Sequence, residues 1–204
     1  KIPYTHSGVI SSFNAMDKLI SKKIFIKNKI KTPKYLSVDK NFKISSIDKK
    51  LKSKRIYYPV IAKPINEGSS LGVEICKNKK SLIKSISKLV KKYGRAMIEQ
   101  YISGQEIQVA IINGRPLGAI ELKPKRQFYD YKAKYTKSAK TEHVMPARLS
   151  KLKYSEVLKI AKKTHDALKC RGVTRADFKF YKDKFYLLEI NTQPGMTSLS
   201  LVPE

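Results

Sequence analysis

The sequence contains no tryptophan and only two cysteines, Cys76 and Cys170, among its 204 residues. Neither cysteine forms a CxxC pair or lies near a histidine in sequence, which argues against a zinc site or a disulfide scaffold and fits a reducing cytoplasm. Long apolar runs are missing too. The longest, around residues 59–62 and 109–112, fall far short of the roughly 20 residues of a membrane-spanning helix. Acidic side chains are scarce, 16 against 44 Lys and Arg, for a formal net charge of +28. Hydrophobic residues still make up 41 %, too many for a disordered basic tail. The length suits one large domain or two lobes sharing a cleft. The chain opens on Lys1 rather than Met and stops at Glu204 just after a loop containing glycine and serine, so one or both ends read as cut, and no signal peptide is legible.

A charge of this size first suggests nucleic acid. However, 37 of the 44 basic residues are Lys and 7 are Arg, whereas phosphate and base-edge recognition favours the guanidinium fork. Runs such as Lys49, Lys50, Lys52, Lys54 and Lys77, Lys79, Lys80 lack the interleaved aromatics of a base-stacking platform. Solvated lysine faces are the simpler reading, with no specific nucleic-acid contact and no membrane partner.

No internal repeat is present. Helical spacing of Ala15, Leu19, Lys22/Lys23 and Ile26 predicts a helix over about 12–29, ended by Thr32-Pro33. A strand near 35–38 and a helix over 44–54 follow. Strands at 57–64 and 72–76 flank a small polar tip, and a helix over 81–93 stops at Gly94. Strands at 96–101, 106–112 and 117–122 come next, the last two joined by the hairpin dipeptide Asn113-Gly114. Periodicity is lost from 124 to 146, the length of a loop that covers a site. A helix over 153–168 and strands at 173–180 and 185–190 complete the pattern. The short ββα pieces predict an α+β fold with mixed or antiparallel sheets.

The most informative stretch runs from Arg175 to Asn191. A turn centred on Asp183 pairs residues whose numbers sum to a constant: Arg175 with Asn191, Asp177 with Glu189, Phe178 with Leu188. Ala176, Phe178, Phe180, Tyr186, Leu188 and Ile190 then form an apolar core face, and Arg175, Asp177, Glu189 and Asn191 share the other. Two carboxylates directly across a ladder repel. Either a cation such as Mg²⁺ offsets them, with Arg175 neutralising charge that develops nearby, or the face is solvated and bridged by the arginine.

The segment Glu67-Gly68-Ser69-Ser70-Leu71-Gly72 offers backbone N–H groups for closing over phosphates, although it lacks the Walker A spacing. Lys63, late in an apolar strand, fits an anion beside such a loop. Phe128 to Tyr135 is either a packed surface loop or a lid carrying Lys134 and Tyr135. His6, His143 and His165 are scattered and read as structural or exposed, and Cys170 as a small hydrophobe.

Several strings, in order and spacing, resemble one family: Tyr4-Thr5-His6-Ser7-Gly8-Val9, Met16-Asp17-Lys18, Lys63-Pro64 with EGSSLG, FYDYKAKY, RGVTRADF and LEINTQPGMTSLSLVPE. These are similar to the D-alanine-D-alanine ligases of the ATP-grasp superfamily over essentially the whole chain. The resemblance implies two α+β lobes clasping ATP. It further implies an enzyme joining two D-alanines through an acyl phosphate for peptidoglycan precursors, cytoplasmic, and a homodimer when full length. On this basis Lys18, Lys63 and Lys134 contact ATP phosphates, and Glu99, Gln100, Tyr101, Ile102 and Glu106 hold adenine and ribose. Asp177, Glu189 and Asn191 ligate two Mg²⁺ (or Mn²⁺). Arg175 and the Gly195 N–H stabilise the oxyanion, Ser200 and Leu201 receive the second D-alanine carboxylate, and Ser69 and Tyr135 orient the first D-alanine. The tyrosine resembles the dipeptide-forming members, so D-lactate is expected to be a poor acceptor.

The sequence also departs from the family. An N-terminal domain of roughly 80–90 residues is expected ahead of Lys1, bringing the glutamate partner of Ser69, and a helical tail is expected beyond Glu204. Gln100 stands where a charged residue is common. Residues 1–16 therefore read as a remnant of the preceding domain, 17–95 as a small lobe and 96–204 as the C-terminal lobe, a piece not expected to turn over alone. The competing readings are another carboxylate-amine or D-alanyl-ester ligase of the superfamily, and a basic nucleic-acid-binding module.

Overall fold

The computed structural model describes residues 3–123, 141–197 and 200–203. Two compact units emerge, one of residues 33–102 and one of residues 1–32 with 103–204. These divisions fall elsewhere than the sequence boundaries at 17 and 96, because pairing and packing, not chain order, assign the flanking elements.

In the unit of residues 33–102, strands β1 (Tyr35–Asp39), β2 (Val60–Pro64), β3 (Glu74–Cys76) and β4 (Arg95–Gln100) form one antiparallel sheet in the order β1-β4-β2-β3. Strand β4 is central, which is why it belongs here. Helix α3 (Ile47–Ser53), entered through a short 3-10 turn, and helix α4 (Lys79–Tyr93) supply Ile47, Leu51, Leu82, Ile86 and Leu89 to a core shared with Val60, Ala62, Ala96 and Ile98. Helix α4 starts two residues before its predicted start. The Asn78 side chain accepts from the Ser81 N–H and Ser81 Oγ accepts from the Asn78 N–H, a reciprocal cap, and Gly94 ends the helix at φ 74°.

In the other unit the predicted helix 12–29 is two helices, α1 (Val9–Met16) and α2 (Lys18–Lys27). Asp17 breaks the run: its backbone is extended and its carboxylate accepts from the N–H groups of Leu19 and Ile20, capping α2. Lys22, which the helical spacing set in line with Ala15 and Leu19, is fully buried and donates to Thr32 Oγ1, while Ile26 is exposed and Phe25 takes the core position. Strands β5 (Gln105–Ile112), β6 (Arg115–Lys123), β7 (Glu142–Val144), β8 (Val173–Tyr181) and β9 (Lys184–Asn191) form an antiparallel sheet ordered β7-β6-β5-β8-β9. Helix α5 (Lys151–Ala167), capped by Ser150, packs Val157 and Ala161 against Ile107, Val109, Ala119, Ala176, Phe178 and Leu187. Asn113 and Gly114 both adopt positive φ, 47° and 76°, as their hairpin turn requires.

The β8–β9 hairpin corrects part of the sequence register. Its turn holds two residues, Lys182 and Asp183 (φ 46° and 60°), so Tyr181 faces Lys184 and Phe178 faces Leu187. A β-bulge then takes up Leu188 and restores the expected pairs Asp177–Glu189 and Arg175–Asn191. Because one residue of slip exchanges the faces, Phe185 and Leu187 enter the core in place of Tyr186 and Leu188. Tyr186 lies instead under the Lys31 ammonium, 5.3 Å from its ring centre.

The segment before α1 docks on the loop after α5. Ser7 Oγ donates to the Arg171 carbonyl (2.9 Å), Ser11 Oγ to that of Lys169 (2.8 Å), and the Arg171 guanidinium lies 4.5 Å from the Tyr4 ring centre. Residues 3–16 are thus part of this unit's packing. Gly172 permits the approach: at φ 64° an added Cβ would stand 1.9 Å from the Thr5 carbonyl oxygen. Gly172→Ala is therefore expected to cost about 3 kcal/mol or more, measured as a lower denaturant midpoint, whereas Gly68→Ala, with open space around it, should change little.

His165 on α5 is 3 % exposed, with Nδ1 2.8 Å from Thr174 Oγ1. Burial pushes its imidazole below the ordinary value of 6.5, with Asp166 opposing and Lys162 adding to the shift. The unfolded chain then takes up its proton at higher pH than the folded one. Stability is complete above pH 6.5 and falls as the pH drops through and below that value. The unfolding midpoint of His165→Gln should accordingly lose less between pH 7.5 and pH 5.5 than that of the parent chain.

Candidate active site

One face of the five-stranded sheet is apolar and covered by α5; the other gathers charge. Register places Glu106, Gln108 and Ala110 of β5 opposite Lys179, Asp177 and Arg175 of β8, and these last two opposite Glu189 and Asn191 of β9. The face expected from the sequence is therefore assembled, with additions from β5 that short-range patterns do not reveal.

Charge on this face is balanced by the protein's own cations. Arg175 grips Asp177 with two hydrogen bonds, Nε to Oδ1 at 2.8 Å and Nη2 to Oδ2 at 2.9 Å. Asn191 Nδ2 adds a third, to Asp177 Oδ2, at 3.3 Å. Lys18, the first residue of α2, brings Nζ within 3.6 Å of Glu189 Oε2. Glu106, expected to hold the nucleotide sugar, pairs with Lys179 at 3.0 Å. Two carboxylates across a ladder thus tolerate each other because a guanidinium and an ammonium lie on them. Lys179 was not singled out from sequence, since its position opposite Glu106, 73 residues away in the chain, depends on the β5–β8 pairing.

The donor set suits a hard cation. Among the described residues no three His, Cys, Asp or Glu side chains converge, but two carboxylates and one carboxamide leave positions for water and phosphate oxygens, the usual preference of Mg²⁺. For such an ion Asn191 must turn its carboxamide oxygen rather than its nitrogen toward Asp177.

The loop after β9 folds back on itself. Ser200 Oγ accepts from the Thr197 N–H at 3.0 Å and lies 2.9 Å from Thr197 Oγ1. Gly195 sits against it so closely that an added Cβ would be 2.7 Å from Ser200 Oγ. The glycine position expected to offer its N–H and the serine expected to receive a carboxylate are thus neighbours. Leu201 follows, lining a cavity of about 230 Å³ with Gln108 and Arg175.

In the unit of residues 33–102, Lys63 and Glu99 form a buried ion pair, Nζ to Oε2 at 2.7 Å, on adjacent strands β2 and β4. A residue expected at phosphates and one expected at the nucleoside are thus joined directly. Gln100 ends β4 and Tyr101 and Ile102 continue from it; the Gln100 N–H donates to the Lys34 carbonyl, and Ile102 is buried. In the tip, Ser69, Ser70 and Gly72 all have positive φ, 51°, 59° and 70°. Left-handed serines cost about 1–2 kcal/mol each, a conformational strain of the kind stored at ligand loops. Cys76 and Cys170 are free thiols whose ionisation burial suppresses, consistent with a packing role. Lys134 and Tyr135 lie outside the described residues.

Known proteins are similar to this chain over essentially its whole length. A family described as "D-ala D-ala ligase C-terminus" matches residues 24–204. The D-alanine–D-alanine ligase of Pelagibacter ubique is 59 % identical over 205 residues, which cover 100 % of this chain and 66 % of the relative. A crystal structure of D-alanine–D-alanine ligase from Bacillus anthracis superposes with a TM-score of 0.84 at 35 % identity, covering 99 % of this chain and 64 % of that one. A second from that organism, complexed with ATP, gives a TM-score of 0.82 at 30 % identity, covering 99 % and 63 %. The chain therefore spans a little under two thirds of the length of the proteins it matches. It belongs to the D-ala D-ala ligase C-terminus family and has the ATP-grasp fold.

Proposed function

We propose that the chain is the nucleotide- and metal-handling part of a D-alanine–D-alanine ligase, joining two D-alanines at the expense of ATP for peptidoglycan precursors. The observation that carries this reading is the sheet face on which Asp177, Glu189 and Asn191 stand together with Arg175 and Lys18 within contact of the carboxylates. The likeness to ligases, one of them complexed with ATP, supports it. The complete protein is taken to be a cytoplasmic homodimer. Among the described residues no helix is long and apolar enough to cross a membrane.

In the reaction, a carboxylate oxygen of the first D-alanine attacks the γ-phosphorus of ATP. The bond to the β–γ bridging oxygen breaks, leaving ADP and an acyl phosphate. The amine of the second D-alanine then adds to the acyl carbon. The resulting tetrahedral species expels phosphate and sheds a proton from nitrogen, leaving the dipeptide. Bound Mg²⁺ would offset the negative charge of the phosphate oxygens, held by Asp177, Glu189 and Asn191. Lys18, Lys63 and Lys134 meet the phosphates, and Glu99, Gln100, Tyr101, Ile102 and Glu106 meet adenine and ribose. Arg175 and the Gly195 N–H stabilise the tetrahedral oxyanion, while Asp177, which Arg175 holds with two hydrogen bonds, would serve as a ligand of the ion. Ser200 and Leu201 hold the carboxylate of the second D-alanine, and Ser69 and Tyr135 orient the first.

The test is phosphate release from ATP by the complete protein carrying this region, with D-alanine, D-serine and D-lactate compared. D-alanine should stimulate release, with D-lactate a poor acceptor, and no D-alanine dependence would overturn the reading. Asp177→Ala should lower turnover by about 10³-fold or more, on the scale of electrostatic contributions to catalysis, with folding verified by the thermal midpoint. Lys63→Ala is expected to raise the KM for ATP about tenfold, the loss of one charge-assisted contact.

A further inference from the structure

Gln108 has no part in the roles assigned above, yet its placement is unusual. It stands on β5 directly opposite Asp177 and is 1 % exposed. A glutamine buried to this extent ordinarily satisfies its carboxamide, but here Oε1 has no hydrogen-bond partner among the described residues. Asp177 does not supply one, being an acceptor already engaged by Arg175 and Asn191. A buried acceptor left without a donor is costly, and such a group in a folded protein needs a reason.

The reason lies beside it. Gln108 and Arg175 are the polar groups of the cavity of about 230 Å³, whose remaining walls are apolar, including Leu117, Met145, Leu201 and Val202. The combination is a cation, a neutral acceptor and an apolar surface in one small space. That complements a small amino acid whose carboxylate Ser200 and Leu201 receive: the carboxamide oxygen for an N–H of its amino group, the apolar wall for a short side chain, and the guanidinium beside the oxyanion that develops when the nitrogen adds. The terminal torsion of glutamine is soft, so the amide turns within its slot to present the oxygen.

We infer that Gln108 recognises the amino group of the acceptor amino acid, orienting it within this cavity. The inference rests on the ligase reading and adds a residue that places the attacking nitrogen. It also accounts for the location of the carboxamide opposite Asp177, since the nitrogen must approach the acyl phosphate formed where the metal ligands lie.

The experiment compares the complete protein with its Gln108→Leu variant. The variant should raise the KM for the second D-alanine about tenfold, the effect of one hydrogen bond to a polar ligand. The KM values for ATP and for the first D-alanine should not move. Propionate, which shares the carboxylate and methyl group of D-alanine but has no amine, is measured as an inhibitor competitive with the acceptor, and its inhibition constant should be the same in both proteins. An unchanged acceptor KM overturns the inference, as does a parallel weakening of propionate, which would make Gln108 only a prop of the cavity wall. Failure of the ligase reading shows separately, as absence of D-alanine-dependent phosphate release in the parent protein.

Discussion

The β8–β9 ladder sets Asp177 directly opposite Glu189, and much of the sheet's polar face follows from that juxtaposition. Like charges paired across strands destabilise a sheet, so the arrangement persists only with cations in attendance. Arg175 comes from two residues away on the same strand, and Lys18 from the start of α2, held by the Asp17 cap. The cap thus has a functional reach: the break at Asp17, which splits one expected helix into two, aims the lysine at Glu189. An uninterrupted helix over the same residues would place Lys18 in mid-helix, with no extended turn to fix where its side chain begins.

The ion pair between Lys63 and Glu99 applies similar logic in the other unit. Taking both charges out of water carries a desolvation cost that their attraction at 2.7 Å largely returns, so pairs of this kind are weak evidence for stability as such. Their consequence is positional. Strands β2 and β4 are neighbours, and the bond ties a lysine after an apolar run to the strand that leads into residues 100–102. An anionic ligand entering there competes for an ammonium already desolvated and oriented, and therefore spends less on arranging it.

How legible this was depended on range along the chain. Turn and cap residues announced most elements, as with Gly94 after α4 and Asn113-Gly114 between β5 and β6. The face shared by Arg175, Asp177, Glu189 and Asn191 was also readable, because one local hairpin builds it. The core residues of β9 were not. The turn at Lys182-Asp183 has no glycine to mark its left-handed positions, and the bulge at Leu188 leaves no compositional trace. The two effects cancel at Asp177 and Glu189, so the right charged pair coexisted with the wrong apolar face between. Glu106–Lys179 and the placement of Gln108 were beyond reach, since both depend on β5 meeting β8 across a long separation. The burial of Lys22 was legible only in part: helical spacing set Lys22/Lys23 in line with Ala15 and Leu19, but the oxygen that receives its ammonium, on Thr32, lies beyond the helix and outside its pattern.

The excess of positive charge takes a different meaning from these details. The buried lysines among the described residues, Lys18, Lys22 and Lys63, each have an oxygen partner, namely Glu189, Thr32 and Glu99. The large majority of the rest are exposed or half-exposed, so a net charge of +28 acts mainly as a surface field. Such a field repels itself and works against compactness, which the two apolar cores must offset. It also raises the local concentration of polyanions, and at physiological salt it decays over about 8 Å. On the proposed reading, nucleotide capture would divide into a screened, unspecific attraction from many lysines and a short-range part borne by a few whose positions the fold determines. Only the second can distinguish a triphosphate from any other anion, because only there are distance and direction fixed.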